Sequence, residues 1–453
     1  MSLNHSEVRK ELIKDLLNKE NPAFIALGVC GAGMSPLVRL LSNRGVKIVG
    51  EDKNIKEIEK ITLAKQGIRV YNEGEIDPSG FDGLIYSLAV DENNPTLVKA
   101  KAAGIPVMSR AQMLGALVDL YPMSIAVSGS HGKSTVTAML RSIFKAADKS
   151  PTTLCGAPLE GGDGLDVGAD ELLIYESCEY KDSFLYEEPS VRVVTSVELD
   201  HTDYFPDITA IRKSFLKAIN RAKRAAVLCV DDPFLKEVAK EGNNRVTTYG
   251  SEKSADYSFT DPIADSEGIC FTFKGERISL PILGEHNIMN ALAALSVACL
   301  LGAESGAKYA LKGFHGVGGR LQPIGEFLGH PLYLDYAHHP TEIEASVSTL
   351  KKLHGKCSVI FKPHTYSRTA SLWRGFVNAL SLAEQVILTD VYPAREENVY
   401  GVRIENLAEE IGRKCIFLKE ENRIKDYIKS AEGAIVIMGA AGLEKIKNTL
   451  KND

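Results

Sequence analysis

No apolar run in this chain of 453 residues approaches the roughly 20 residues that span a bilayer, which argues against membrane insertion. The N-terminus, MSLNHSEVRKELIKDLLNKEN, lacks an apolar core followed by a small-residue cleavage site. It reads as a short charged helix with Val8, Leu12, Leu16 and Leu17 on one side, and a cytoplasmic protein is expected. The eight cysteines, at 30, 155, 178, 229, 270, 299, 357 and 415, contain no C-x-x-C pair, which argues against a zinc site and against a disulfide framework. There is no long basic run, and the net charge is −6, so no nucleic-acid surface is expected. Small molecules are the partners that remain. A hydrophobic content of 44% and a charged content of 25% are ordinary for a globular chain. At roughly 150 residues per domain, the length implies about three domains.

What is present is organised around MSIAVSGSHGKSTVTAMLRSIFKAA, which closes at Ala147. Ile125-Ala126-Val127 reads as a buried strand, and Val136, Met139, Leu140, Ile143, Phe144 and Ala147 recur at helical spacing. Between them lies Ser128-Gly129-Ser130-His131-Gly132-Lys133-Ser134-Thr135. Such a loop turns backbone N–H groups and a helix N-terminus toward a polyphosphate, while a lysine neutralises charge and a hydroxyl binds Mg²⁺. Val127 stands where the full Walker pattern has glycine, so only G-x-x-G-K-S is met. An ordinary surface turn is the alternative, and the flanking strand and helix speak against it.

Upstream, strand Phe24 to Gly28, turn Gly28-Val29-Cys30-Gly31-Ala32-Gly33, helix Met34 to Arg44 and strand Val46 to Gly50 form a β-α-β unit. Glu51 and Asp52 follow at about the place where a Rossmann domain holds a ribose. The glycine order is G-x-x-G-x-G, so the nicotinamide fingerprint is absent. A nucleotide diphosphate at the helix N-terminus, or mere close packing of helix on strand, remain as readings. Strands near Gly83 to Ser87 and Pro106 to Met108, with helix Pro95 to Ala103 between them, complete a small parallel sheet, and Asp119-Leu120-Tyr121-Pro122 marks a boundary.

Farther on, strand Leu172 to Glu176 ends in an acid, and strand Val191 to Val197 runs into Glu198-Leu199-Asp200-His201. Carboxyl ends of strands converge on the ligand crevice of a doubly wound sheet, so Glu176 and His201 are candidates to approach a metal near Ser134; solvated turn residues are the plain alternative. Asn287 and Asn290 open a helix, where they cap it or meet a nucleotide base. From Phe314 on, strands and helices alternate as in another open α/β sheet: strand Leu332 to Asp335, a helix from Thr341, strand Cys357 to Lys362, a helix near Leu372 to Leu380, and strands Val386 to Asp390 and Ala434 to Gly439. Two clusters lie just past strand ends, Asp335-Tyr336-Ala337-His338-His339-Pro340 and Pro363-His364-Thr365-Tyr366-Ser367-Arg368-Thr369.

Taken in order, G-x-x-G-K-S, E-L-D-H, G-E-H-N-I-M-N-A, L-D-Y-A-H-H-P-T-E and P-H-T-Y-S-R-T resemble the Mur ligase family on its alanine-adding branch, from about Ala23 to the C-terminus. The resemblance implies a three-domain α/β architecture. A Rossmann-like UDP-sugar domain spans 1–120, a central P-loop ATPase domain 121–315, and a C-terminal Rossmann-like domain 316–453. It implies an ATP-dependent ligase that joins L-alanine to UDP-N-acetylmuramate through an acyl phosphate in peptidoglycan precursor synthesis, with ATP and Mg²⁺ (or Mn²⁺) and a monomer or homodimer. The alternatives are a related ligase with another amino-acid or muropeptide substrate, or a weakly active nucleotide-binding paralogue.

By the same resemblance Gly28, Gly31, Gly33 and Asp52 hold the UDP-sugar. Gly129, Gly132, Lys133, Ser134, Thr135, Asn287, Arg320 and Asp335 bind ATP. Ser134, Glu176 and His201 hold the metal, with Lys133, Glu176 and His201 catalytic, and His338, Tyr366 and Arg368 face the amino acid. Departures from the family pattern are Ser177-Cys178-Glu179-Tyr180-Lys181, the run Gly316-Val317-Gly318-Gly319-Arg320, and Thr365 in place of an arginine. Ser214-Phe215-Leu216 fill the slot of the carbamylated lysine of related ligases, as in the alanine-adding branch, with Lys213 beside them as a candidate carbamate. Restoring the charge with Thr365→Arg is expected to tighten L-alanine binding.

Overall fold

The computed structural model describes residues 9–451 apart from 56, 161 and 242–244. Helix α1 (Lys10–Leu17) buries Ile13 and Leu16 and leaves Leu12 exposed, which corrects the expected apolar side; Val8 lies outside the described residues. The helix starts at Lys10, and this phase sets Ile13 and Leu16 toward the neighbouring helix α5 (Arg110–Val118).

The first sheet has strands β1 (Ala23–Leu27), β2 (Lys47–Glu51), β3 (Arg69–Tyr71), β4 (Gly83–Tyr86) and β5 (Val107–Ser109) in the parallel order β3-β2-β1-β4-β5. Helices α2 (Met34–Asn43), α3 (Glu57–Ala64) and α4 (Pro95–Ala102) connect them. Strand order reverses beside β1, so the crevice at its carboxyl end lies at a topological switch point. β3 escaped sequence reading because three residues, two of them exposed, carry no periodicity.

The second sheet runs β12-β11-β10-β6-β9-β7-β8. Its strands are β6 (Met123–Ser128), β7 (Pro151–Leu154), β8 (Leu165–Asp166), β9 (Ala169–Glu176), β10 (Val191–Val194), β11 (Ala225–Cys229) and β12 (Val246–Tyr249). Helix α6 (Lys133–Ala146) follows β6; α7 (Ile208–Asn220) and α8 (Pro233–Glu241) lie farther along. The apolar stripe read from the sequence is the buried face of α6: Val136, Met139, Leu140, Ile143 and Phe144 share one core with Ala291, Leu292 and Leu295 of α9 (His286–Leu300). Each such buried leucine contributes roughly 1.5–3 kcal/mol. A three-stranded antiparallel sheet, β13 (Thr260–Asp265), β14 (Gly268–Phe273) and β15 (Glu276–Leu280), precedes α9, and α10 (Ala307–Lys312) follows it.

The last sheet orders β16 (Gln322–Phe327), β17 (His330–Asp335), β18 (Cys357–Phe361), β19 (Gln385–Leu388), β20 (Cys415–Phe417) and β21 (Ala434–Met438) as β16-β17-β21-β18-β19-β20. It is parallel except at the β16 edge, where the antiparallel ladder is irregular between Pro323 and Gly325. That edge strand was not expected, since Pro and Gly interrupt its pattern. Helices α11 (Pro340–His354), α12 (Tyr366–Ser371), α13 (Trp373–Leu380), α14 (Ile404–Ile411), α15 (Ile424–Ile428) and α16 (Glu444–Lys451) complete the unit. No helix of the described residues is long and apolar enough to cross a membrane.

Candidate active site at the phosphate loop

The loop after β6 needs its glycines for two physical reasons. Gly129 (φ +133) and Gly132 (φ +80) occupy left-handed backbone, and a Cβ would fall 2.0 Å from Thr195 Oγ1 and 2.3 Å from Asn290 Oδ1 respectively. Gly132 is the residue that enters α6, so the first N–H groups of the helix open onto a cavity of about 900 Å³. Gly132, Ser134, Thr135, Asn287, Arg320 and Asp335 all line it. The cavity thus has one wall from the central sheet and one from the C-terminal sheet.

Asn287 and Asn290 do not cap α9. Asn287 Nδ2 donates to the Leu283 carbonyl at 2.7 Å, and Asn290 Nδ2 to Asn287 Oδ1 at 2.9 Å, while Asn290 Oδ1 packs against Gly132. The Arg320 guanidinium lies 4.8 Å over the ring of Tyr336. Buried Asp335 accepts from Ser346 Oγ (2.7 Å), Ala337 N (2.9 Å) and Leu321 N (3.3 Å), and burial pushes its carboxyl above the usual range.

Lys133 Nζ donates to the Gly129 and Ser130 carbonyls and reaches both carboxylate oxygens of Glu179 at 3.1 and 3.2 Å. Glu179 is wholly buried. Burial alone would lower the lysine's pKa, and the Glu179 charge reverses this and holds it above the ordinary value. His201 Nε2 lies 3.8 Å from the same carboxylate, and Glu179, Asp200 and His201 present ligand atoms within 4.8 Å of one another. Burial works against a charged His201, but Cys178, Asp200 and Glu179 push it up to about 9.

The acid beside the His201 ring is Glu179, while Glu176, expected with His201 as a metal ligand near Ser134, lies on another side of the loop. Glu176 Oε1 accepts from Gly156 N at 2.7 Å and from the Cys155 thiol at 2.9 Å, on the β7 side of the sheet. Glu179, three residues later, turns under Lys133. Of these two acids Glu176 alone was expected from the sequence; Glu179 follows it in the same short run, just before the segment from 180 to 186, in which Lys181 and Asp182 have left-handed backbone. His201 is itself left-handed (φ +51), because the chain leaves β10 at Val194 and wraps the phosphate loop: Ser130 N donates to Ser196 O, and Glu198 N to Ser130 Oγ. Lys213 is exposed on α7, whereas its neighbour Ser214 donates to Asp182.

At the proposed amino-acid end the structure also redirects the reading. Buried Arg368 is committed to Asp200, with Nε and Nη2 each 2.8 Å from Oδ1, and to the His364 carbonyl at 2.7 Å. Burial favours protonated Asp200, yet the Arg368 charge holds its carboxyl well below the usual range. His338 Nδ1 lies 2.9 Å from the Tyr336 carbonyl; burial, opposed by Glu342 and reinforced by Arg368, pushes it down to about 4. Neither side chain therefore presents an unclaimed positive charge. Tyr366, the first residue of α12, is half-buried against the C-terminal core. Thr365 Oγ1 donates to Glu396 at 2.6 Å, and Glu396 also accepts from Ser367 N at 2.8 Å.

A second cavity of about 840 Å³ lies at the carboxyl end of β1, lined by Gly28, Gly31 and Asp52 together with Tyr392 and Arg395 of the C-terminal unit. Gly28 is left-handed (φ +74), and Asp52 accepts from Cys30 N at 2.9 Å. Gly33 stands apart from that lining: it caps α2, and a Cβ there would meet Arg110 Nε at 3.1 Å. Glu51 is consumed internally, accepting from Asn94 at 2.8 Å and Thr96 at 2.6 Å.

Comparison with known proteins agrees with this arrangement along the chain. Models of the Mur ligase family catalytic domain, the Mur ligase middle domain and the Mur ligase glutamate ligase domain match residues 24–122, 127–298 and 319–442. The UDP-N-acetylmuramate--L-alanine ligase of Caldicellulosiruptor saccharolyticus is 40% identical, over 92% of this chain and 96% of that protein. The crystal structure of UDP-N-acetylmuramate-alanine ligase MurC from Thermotoga maritima superposes with a TM-score of 0.78 at 24% identity, covering 94% of this chain and 98% of that one. A MurF ligase from the same organism in complex with ADP covers 96% and 98%, at 17% identity and a TM-score of 0.63. With three domain models matched in chain order and a relative this similar over nearly its whole length, the chain belongs to the Mur ligase family.

Proposed function

We propose that this chain joins L-alanine to UDP-N-acetylmuramate while cleaving ATP to ADP and phosphate. The observation that carries the reading is the cavity in which the phosphate loop faces Arg320 and Asp335 of the C-terminal sheet. Its full-length relatives bear the name UDP-N-acetylmuramate--L-alanine ligase, and a fold neighbour holds ADP. In this reading the muramate carboxylate attacks the γ-phosphorus, the P–O bond to ADP breaks, and the alanine amine displaces phosphate from the acyl phosphate. The first step brings two anions together. Lys133 and the N–H groups of α6 stabilise the charge that builds on the transferring group.

The hydroxyl, carboxylate and single imidazole of Ser134, Glu176 and His201 would suit Mg²⁺ or Mn²⁺, with Glu179 a further acid beside His201. When bound, the ion supplies positive charge to phosphate oxygens. Gly28, Gly31 and Asp52 would hold the UDP-sugar, with Arg395 reaching the same cavity. The C-terminal unit covers the phosphate loop, which keeps water from the acyl phosphate. The test is phosphate release measured with UDP-N-acetylmuramate and, in turn, L-alanine, glycine, L-serine and D-glutamate. Release with L-alanine first and its small neighbours next supports the reading. A response to D-glutamate alone refutes the alanine assignment.

A further inference from the structure

A cluster that the proposed ligase chemistry does not use lies beside the phosphate loop, where three residues from three segments converge. His131 comes from the loop itself, Glu198 from the segment after β10, and His339 from the residue that enters α11. The two imidazole rings are 4.8 Å apart, tilted at 50°. Glu198 Oε2 lies 3.5 Å from His131 Nε2 and 3.6 Å from His339 Nδ1, and one ligand atom from each of the three falls within 4.8 Å of the others. Ligands held tetrahedrally at about 2.0–2.1 Å from one ion are about 3.3–3.5 Å apart, so the site needs only a small contraction.

The remaining ring nitrogens are already fixed. His131 Nδ1 lies 3.0 Å from Glu342 Oε1, and His339 Nε2 lies 3.3 Å from the Leu199 carbonyl; His131 Nε2 and His339 Nδ1 face Glu198, the latter also accepting from Thr341 N at 3.3 Å, a contact the ion would displace. A carboxylate or carbonyl behind each histidine is how metal-binding imidazoles are oriented. His131 Nε2 is buried and makes no hydrogen bond within the structure. All three residues border the large cavity, which has room for water as a fourth ligand.

We infer that His131, Glu198 and His339 form a second metal site, distinct from the Mg²⁺ ligands, for an imidazole-preferring divalent ion such as Zn²⁺. Two imidazoles and one carboxylate match zinc and disfavour magnesium. The ion takes the side of His131 Nε2 that faces Glu198, while Nδ1 keeps its contact with Glu342. Because His339 belongs to the C-terminal unit and the other two ligands to the central one, the bound ion clamps the two together and slows any turnover that requires them to part.

The test uses the full chain, stripped with EDTA and held in excess Mg²⁺, titrated with Zn²⁺ by calorimetry and with Co²⁺ by visible absorption. One Zn²⁺ per chain and a tetrahedral Co²⁺ band displaced by Zn²⁺ are expected. His339→Ala and Glu198→Gln each weaken zinc at least tenfold. Glu342→Gln, which keeps every ligand but removes the carboxylate behind His131, weakens it about 10–100-fold. His201→Ala leaves it unchanged. Glu198→Gln retains its shape and its acceptor for Thr341, so it decides the matter if His339→Ala does not fold. Zinc affinity indifferent to Glu198→Gln, lost in His201→Ala, or accompanied by a cysteine-thiolate charge-transfer band would overturn the site.

Discussion

In the proposed reaction Lys133 supplies charge to the transferring phosphoryl group, and it is also half of a buried ion pair. Lys133→Met leaves wholly buried Glu179 without its nearest cation, which costs about 3–5 kcal/mol of stability, and removes a charge that stabilises phosphoryl transfer, worth roughly 10²–10³-fold in kcat. Adding Glu179→Gln should restore most of the urea-unfolding stability and none of the phosphate release. Recovery of both would make Lys133 a structural residue. Thr365 yields a prediction opposite to the one its sequence context suggests. An arginine there meets Glu396, which already accepts from Thr365 and Ser367, before it meets any substrate. Thr365→Arg should therefore leave the KM for L-alanine within about twofold, since an already paired guanidinium adds little clamping. A fall of tenfold or more in KM would show that the new charge reaches the substrate.

Helix α11 is the element that brings the C-terminal unit onto the loop. Its first turn carries a capping box in which Glu342 closes back on His339, and the same carboxylate holds His131 of the facing loop. Burial disfavours a charged His131, but Glu342 and Glu198 push it up to about 10. A raised pKa contributes stability that is fully present below the unfolded value of about 6.5 and is lost as pH rises through the folded one. In metal-free buffer, His131 should contribute a fall in unfolding free energy between about pH 6.5 and 10, on the order of 1.4 kcal/mol per pH step of one, in addition to the fall that His201 contributes up to about pH 9. His131→Asn should flatten that limb in urea titrations at the two pH values. An equal slope in the variant would show that the linkage lies elsewhere. Motif order also left this element partly unread: H-H-P-T-E offers two adjacent histidines, and only the entry of the chain into α11 turns one toward Glu198 and the other toward Tyr336.

In the whole molecule, the Arg368–Asp200 pair spans the central and C-terminal units with both partners buried. Arg368→Met leaves a buried carboxylate uncompensated, a loss of about 3–5 kcal/mol wherever the contact persists. The chain can avoid that loss by opening. Small-angle scattering of the nucleotide-free variant should therefore give a larger radius of gyration than the parent chain, together with a lower kcat. Unchanged scattering with unchanged kcat would show that the Arg368–Asp200 pair does not hold the units together.

Contiguous residues determined a good deal before any tertiary contact. The strand, the G-x-x-G-K-S turn and the stripe from Val136 to Phe144 are local features whose periodicity and glycine placement already specify a phosphate loop. The alternation around Leu332, Cys357 and Ala434 specifies an open α/β sheet for the same reason. Partnership across the chain was decided only by the tertiary structure. Whether Glu176 or Glu179 faces Lys133, whether Arg368 waits for a carboxylate or is taken by Asp200, and whether Thr365 is free or held by Glu396 depend on residues many positions apart. A charge makes its contacts through space, and only the packing of the central sheet against the C-terminal one sets which opposite charge lies within about 3–4 Å of it.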